Sequence, residues 1–452
     1  MVQSNRLRLQ TLAGSAIIDK KKYSIKRYTH FDNKKKFETI EKDVMNPSWI
    51  QRHGFFPFIH YQMSFFKYSK KSRQKKPKVR DIYYASHIDS YIYKYYGDML
   101  NDHYNTVVNE LGINAVSTAY RNNFSGMSNI HFAKEVIDFI KSCEKAFIYV
   151  ADFTSFFDHL DHKHLKKKMK DVLNVKVLPP DYYNVFKNIT KFSWIEREDI
   201  DAAITEKYPV HDERKRLSRY FGDREFREFK KNKVHVNKEG FGIPQGAGIS
   251  SVCSNIYLLD FDKEINDYVS RNKGIYRRYS DDLIIVIPIK ERLQQEVLDN
   301  HVLFIDSIKD KTPNLIIQEE KTGKYIYMND KIHDELLEPA VLDYLGFCFD
   351  GNNVKIREKS LFKFYSRAYK KIKLCNWMAK EQKRKVYRRS LYKTYSHLGK
   401  RRKGHGNFLS YVSRAQRIFD ENKSTTNLME QQVVNHWKYI GRRLKNPNEN
   451  YN

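Results

Sequence analysis

The sequence predicts an α+β fold built on an antiparallel sheet, and three observations carry that expectation. Residues 275–287 set two adjacent carboxylates, Asp281 and Asp282, between two runs rich in β-branched and aromatic residues, the pattern of a hairpin with acids at its tip. Residues 146–151 (Ala-Phe-Ile-Tyr-Val-Ala) form a second short apolar run, which also ends in a carboxylate, Asp152. Elsewhere apolar residues recur at helical spacing, as in Ile88, Tyr91, Ile92, Tyr95, Tyr96 and Leu100.

The composition narrows the partner. A chain of 452 residues with 40% hydrophobic content can build two or three domains around real cores. Its net charge of +29 calls for a polyanion, because that excess repels itself unless phosphates neutralise it. An anionic membrane is the competing partner, yet no stretch approaches the roughly 20 continuous apolar residues of a spanning helix. The polar N-terminus does not read as a signal peptide. Cys143, Cys253, Cys348 and Cys375 lack any C-x-x-C spacing, so neither zinc nor a disulfide framework is expected, and a reducing, cytoplasmic setting fits.

Taken in order, residues 1–53 read as a basic N-terminal extension carrying Lys20–Lys22 and Lys34–Lys36, a solvated arm. A basic stretch, 67–78, then leads into an alternating strand near 79–84, where Lys78 and Arg80 are placed to meet phosphates or to guard a strand edge. A helix over 88–104 follows. Residues 119–126 are polar and Gly-containing, a loop near the substrate with Arg121 its residue of interest, and a helix over 130–140 comes next. Asp152 then closes its strand, with Phe153 to Asp158 as the following turn. A carboxylate at the carboxyl end of a strand, beside free backbone N–H groups, can hold a cation and a phosphate chain together. His159, His162 and His164 lie on a Lys-rich helix and are read as solvated, since no matching ligand set accompanies them. Residues 159–238 are long and highly charged, with no chemistry assigned. The glycines of Gly242-Ile243-Pro244-Gln245-Gly246 let backbone approach a flat ligand, and the Gln245 amide can donate and accept at once. Asp281 and Asp282, between strands that cannot move when a metal binds, are read as metal ligands.

The ordered set resembles the reverse transcriptase palm. It comprises Asp152-x-x-x-Phe156-Phe157-Asp158, then Gly242 to Gly246 with Ser250 and Asn255, then Tyr279-Ser280-Asp281-Asp282, then Glu320-Lys321-Thr322 and Tyr344-Leu345-Gly346-Phe347. The resemblance covers roughly residues 55–365 and implies a right-hand polymerase with fingers over 54–145, a palm with an antiparallel sheet over 146–357, and a basic helical thumb over 358–452. The segment 159–238 enters as a fingers-side insertion. Residues 80–89 and 119–121 look most like bacterial defence-associated and abortive-infection reverse transcriptases.

The resemblance also implies roles. Asp152, Asp281 and Asp282, with the backbone of Phe153, would ligate two Mg²⁺ ions. Free N–H groups from Phe153 through Ser155 to Phe156 would face the β- and γ-phosphates of a deoxynucleoside triphosphate. Phe157 would be the steric gate against a 2′-hydroxyl, and Gln245 would contact the incoming nucleotide. Lys78, Arg80 and Arg121 would neutralise triphosphate or template phosphates, and Lys321 would protonate the leaving pyrophosphate.

Beyond 358 a helical stripe of Leu361, Tyr365, Ala368, Tyr369, Ile372 and Cys375 has lysines and arginines outside it. Residues 351–452 carry 26 Lys and Arg against 6 Asp and Glu, so +20 of the +29 lies there. That asymmetry suits a duplex or a structured RNA. The implied function is RNA-directed DNA synthesis on a non-coding RNA in antiviral defence, with a DNA product and a protein partner or second copy left open. The rivals are an untemplated, protein-primed or RNA-synthesising polymerase of the same fold, and a catalytically silent RNA-binding scaffold.

Overall fold

The computed structural model describes residues 22–69, 74–289, 295–382, 387–400, 404 and 406–445. Its strands, in chain order, are β1 (Phe58–Ser69), β2 (Gln74–Tyr84), β3 (Lys145–Asp152), β4 (Ser193–Glu196) and β5 (His235–Val236). There follow β6 (Ile275–Tyr279), β7 (Asp282–Pro288), β8 (Gly323–Met328) and β9 (Lys331–His333). Last come β10 (Leu342–Tyr344), β11 (Phe347–Phe349), β12 (Asn353–Ile356) and β13 (Thr426–Asn427). The expected α+β class is observed: helices pack around antiparallel-rich sheets, and the central one runs β6-β7-β3-β8-β9 with every neighbouring pair antiparallel.

The central sheet is covered on both faces, which explains why β3 and β7 read as continuous apolar runs rather than alternating ones. In register, Phe147 faces Ile287 and Ile148 faces Val286. Phe147, Tyr149, Ala151, Leu283, Ile285 and Ile287 enter one core with the helices His87–Glu110, Ser250–Tyr257 and Leu259–Arg271. Ala146, Ile148, Ile284 and Val286 enter a second, shared with the helices Asn129–Ser142, Glu358–Glu381 and Phe408–Asp420. The stripe expected at Leu361 to Cys375 is the inward face of Glu358–Glu381, so the basic C-terminal helices are bound to the sheet through a common core.

One expectation is corrected, and one segment that had no assignment acquires a place in the fold. The described part of the N-terminal extension is no solvated arm, since Tyr23, Phe37, Ile40, Val44 and Ile50 are buried in the first core while Lys34, Lys35 and Lys36 face solvent. Asp32 anchors it: its carboxylate accepts from the amides of His87 and Ile88 (3.0 and 2.9 Å) and from the His87 ring (2.7 Å), at the start of the helix His87–Glu110. The segment 159–238 is likewise structural. β4 pairs in parallel with β1 and completes a sheet β2-β1-β4-β5, and Ile195, Ile200, Ile204 and Phe221 form a third core with Phe31 and Ile59. Dense charge concealed these apolar positions because each helix needs only one inward stripe.

Burial raises the Asp32 carboxyl, but the His87 ring and the two amides outweigh it and hold it below the ordinary carboxylate range. A carboxylate depressed in the folded state stabilises fully above its unfolded value near 4, and the stabilisation is lost as pH falls through the lower folded value. Asp32→Ala is expected to lower the unfolding free energy at neutral pH by about 3–5 kcal/mol, the cost of orphaning one member of a buried pair. Urea denaturation measures it, and a variant as stable as the parent would show that this docking contributes nothing.

Candidate active site

The chain's two acidic stretches meet at one end of the central sheet. Asp152, the last residue of β3, is the direct partner of Asp282, the first residue of β7. Asp281 lies in the two-residue turn that joins Tyr279 to Asp282, and its carbonyl accepts from the Phe153 amide at 3.2 Å. That turn has Ser280 at φ 62°, where a left-handed first position favours glycine. The substitute for glycine's freedom is a buried donor: Arg278 Nη1 binds the Ser280 carbonyl at 2.9 Å.

The three carboxylates crowd one another. Burial first, and then the Asp281 charge, raise the Asp152 carboxyl despite an ion pair between its Oδ2 and Lys321 Nζ. Asp282 is pushed up to about 6 by desolvation, then by Asp281 and Asp152. Its side chain is nonetheless open to solvent, so water tempers the burial contribution and repulsion from two neighbouring charges is the part that stands. Asp152 Oδ1 is buried without a hydrogen-bond partner. Among the described residues no three Asp, Glu, His or Cys side chains converge as a finished metal cage. An orphaned carboxylate oxygen on the strand register that brings Asp152 to Asp282, next to the turn that carries Asp281, is nevertheless a hard oxygen donor set of the type that suits Mg²⁺.

The surrounding loops place the other expected residues unevenly. Phe153 buries its ring and gives its amide to Asp281, and the Thr154 amide binds the Ile316 carbonyl at 2.8 Å. The expected row of free amides thus narrows to Ser155 and Phe156, which make no hydrogen bond through N–H among the described residues; Ser155 has φ 45° and the Phe156 ring is buried. Phe157 is half-buried against the first core, and its carbonyl accepts from Ile243 at 2.9 Å, tying this turn to the Gly242–Gly246 loop. Gln245 donates weakly to Asp158 (3.3 Å), and its own carbonyl accepts from Tyr83 on β2 at 3.1 Å. Gly246 has φ 121°, and a Cβ there would lie 2.3 Å from the Tyr83 carbonyl oxygen, so this close approach requires glycine. Arg80 is exposed on β2; the Lys78 side chain lies outside the described residues.

Arg121 is corrected from a phosphate ligand to a buttress. Its Nε donates to Asn105 Oδ1 (2.5 Å), Nη1 to the carbonyls of Asn114 and Ser117 (3.1 Å each), and Nη2 to Asn114 Oδ1 (2.6 Å). It also lies over the rings of Tyr104 and Phe124, at 5.2 and 5.1 Å. The histidines read as solvated are half-buried instead. His162 Nε2 donates to the Gly242 carbonyl at 2.7 Å and His164 Nε2 to that of Tyr257 at 3.1 Å, and burial lowers both pKa values. The bond from His162 to the glycine loop joins segments 80 residues apart and is invisible in sequence.

A cavity of about 460 Å³ opens beside Asp282, lined by Tyr279, Leu345, Gly346, Arg357 and Tyr411 among others. Its floor is the left-handed turn Leu345-Gly346 (φ 46° and 95°), held to the C-terminal helices by Asn129, whose Nδ2 donates to the Leu345 carbonyl and to the Tyr411 hydroxyl (2.9 and 3.0 Å). A larger cleft of about 700 Å³, lined by Phe221, Phe229 and Glu225 among others, shares no lining residue with the carboxylates.

No protein-family model matches the chain, and no curated protein matches it in sequence. Solved structures do. Apo telomerase from Candida tropicalis, truncated from its C-terminal domain, aligns with a TM-score of 0.42 at 12% identity, over 66% of this chain and 55% of that one. Telomerase from Candida albicans, in complex with a fragment of telomeric RNA, gives 0.42 at 13%, over 89% and 66%. An insertion-loop deletion mutant of the RNA-dependent RNA polymerase of a human picobirnavirus gives 0.38 at 8%, over 74% and 59%. The chain spans between about half and two thirds of the length of these proteins.

The raised Asp282 carboxyl has a measurable consequence. A folded value raised above an unfolded value near 4 means that the folded protein binds the proton more tightly and loses stability as pH rises from about 4 through the folded value, which is at most about 6. In EDTA, the melting temperature of Asp282→Asn minus that of the parent should therefore grow across that window. A difference independent of pH would show that Asp282 does not repel its neighbours.

Proposed function

We propose that the protein is an RNA-directed DNA polymerase that extends a primer on an RNA template, with fingers over 54–145, palm over 146–357 and thumb from 358. The observation that carries this reading is the register of Asp152 with Asp282, with Asp281 in the adjoining turn, at the edge of a loop pair bearing Phe157 and Gln245. Two Mg²⁺ ions, held by Asp152, Asp281, Asp282 and the Phe153 carbonyl, supply Lewis acidity for the primer hydroxyl and charge neutralisation for the triphosphate when bound.

The chain's own residues do the rest. The amides of Ser155 and Phe156 are offered to triphosphate oxygens, and Arg80 presents a positive charge on β2. The Phe157 ring is assigned the exclusion of a 2′-hydroxyl, and Gln245, beside Asp158, the contact with the nucleotide. Lys321 Nζ is the cation beside Asp152 and carries the proton for departing pyrophosphate. The cavity beside Asp282 receives the primer end. An RNA partner is supported by the +29 charge, of which +20 follows residue 350. A bacterial antiviral role is supported by the motif resemblance at 80–89 and 119–121.

Asp152→Asn and Asp281→Asn keep side-chain shape and remove a charge. Each is expected to bring Mg²⁺-dependent primer extension below detection, with RNA affinity near that of the parent because lysines and arginines elsewhere carry phosphate binding. Primer extension and filter binding, run in parallel with ribo- and deoxynucleotides, decide among the readings. Extension with ribonucleotides alone, or without any template, would replace RNA-directed DNA synthesis by the corresponding rival. A folded parent silent with every primer, template and copurified RNA would leave the scaffold.

Phe157→Ala is expected to admit ribonucleotides while retaining deoxynucleotide use. Competition between the two sugars measures the change, and unaltered discrimination would assign Phe157 to the core alone.

A further inference from the structure

The geometry points to Tyr120 as a stacking platform for a nucleobase at the catalytic turn, an inference that rests on the polymerase reading. Tyr120 has φ 61°, a left-handed conformation that is costly for a bulky residue and that persists only where the surroundings over-determine it. Here they do. Asn101 Nδ2 donates to the Tyr120 carbonyl at 2.5 Å, Asn255 Nδ2 to that of Ala119 at 3.0 Å, and the Thr118 amide to the Arg278 carbonyl at 2.9 Å. The Arg121 guanidinium fixes the other side of the loop through Asn105, Asn114 and Ser117.

All this restraint displays a ring. Tyr120 is 49% exposed, and its hydroxyl accepts from Ser280 Oγ at 3.3 Å, which sets the ring beside the residue preceding Asp281. For folding alone, glycine or asparagine would take this backbone conformation with less strain. An exposed aromatic on a rigid mount instead offers a π-face with little conformational freedom to lose, which is how proteins hold bases of any sequence. The same chemistry can come from the base of an incoming nucleotide or from a base of the bound strand.

The test uses the full chain with Tyr120→Gly and Tyr120→Phe, and three readouts. These are binding of a labelled primer–template duplex with a single-stranded template overhang in Mg²⁺-free buffer, KM for deoxynucleotides, and thermal midpoint. Tyr120→Gly should weaken one of the first two roughly 5- to 150-fold, the range for loss of one base–aromatic stack. A loss in duplex binding identifies a strand base; a loss confined to KM identifies the nucleotide. Its midpoint should hold or rise, because glycine adopts φ 61° without strain. Tyr120→Phe should stay close to the parent throughout. Parental binding and KM in Tyr120→Gly would overturn the proposal, as would equal losses in both variants, or a fall in the glycine variant's midpoint that marks the ring as a folding element. If the parent makes no product at all but Tyr120→Gly still loses duplex binding, the polymerase reading fails while the stacking assignment stands.

Discussion

The buried ion pair between Arg278 and Asp262 is the interaction on which the rest of the site depends. Both side chains are fully excluded from solvent, and they meet through two hydrogen bonds, Nε to Oδ1 at 2.8 Å and Nη2 to Oδ2 at 2.6 Å. A buried guanidinium is tolerable only when its donors are satisfied. Nη1 therefore reaches the Ser280 carbonyl and Asn255 Oδ1, while the Tyr276 hydroxyl donates to Asp262 at 2.8 Å. Because one of these partners is the turn carbonyl before Asp281, the demand for satisfied donors becomes a constraint on where the Asp281 carboxylate sits. Asn255 passes the constraint on, accepting from Ser117 Oγ and donating to the Ala119 carbonyl, so the loop that ends at Tyr120 is fixed by the same network.

The two-faced central sheet imposes a second constraint. Alternate residues of β3 and β7 enter different cores, so a one-residue slip would exchange the two sets and carry Asp152 out of register with Asp282. One of those cores also contains Phe364, Ala368, Ile372, Leu409 and Val412 from the C-terminal helices. The basic helices are thus positioned by burial against the strands that carry the acids, and Asn129 repeats the coupling with hydrogen bonds.

Burial patterns were legible in the sequence, and side-chain direction was not. The strands at 146–151 and 282–287 declare themselves because both faces are apolar, and the acids at their ends follow from position alone. Arg121 and Tyr120 are neighbours in a polar loop, and composition favours the arginine as the ligand. The structure turns the arginine inward among four acceptors and the tyrosine outward, a choice made by the left-handed φ of Tyr120. Lysine runs at 34–36 hid the buried Phe31, Phe37 and Ile40 for a related reason. Charge density reports only the solvated face of a segment, and the inward face needs few residues to be sufficient.

Electrostatics at the strand ends oppose folding and favour binding. Three carboxylates are brought together by backbone register, not by mutual attraction, and the result is an Asp152 carboxyl raised by burial and an Asp282 carboxyl at about 6. Lys321 relieves part of this by pairing with Asp152 Oδ2, yet Oδ1 remains buried and unpartnered. A cation bound at Asp152 would ask for the same carboxylate that now holds the ammonium. The Lys321 ammonium and a cation at that carboxylate would therefore compete for one oxygen pair. A folded protein retains such crowding when the sheet that enforces it is stable on both faces, and the two cores flanking β3 and β7 meet that requirement.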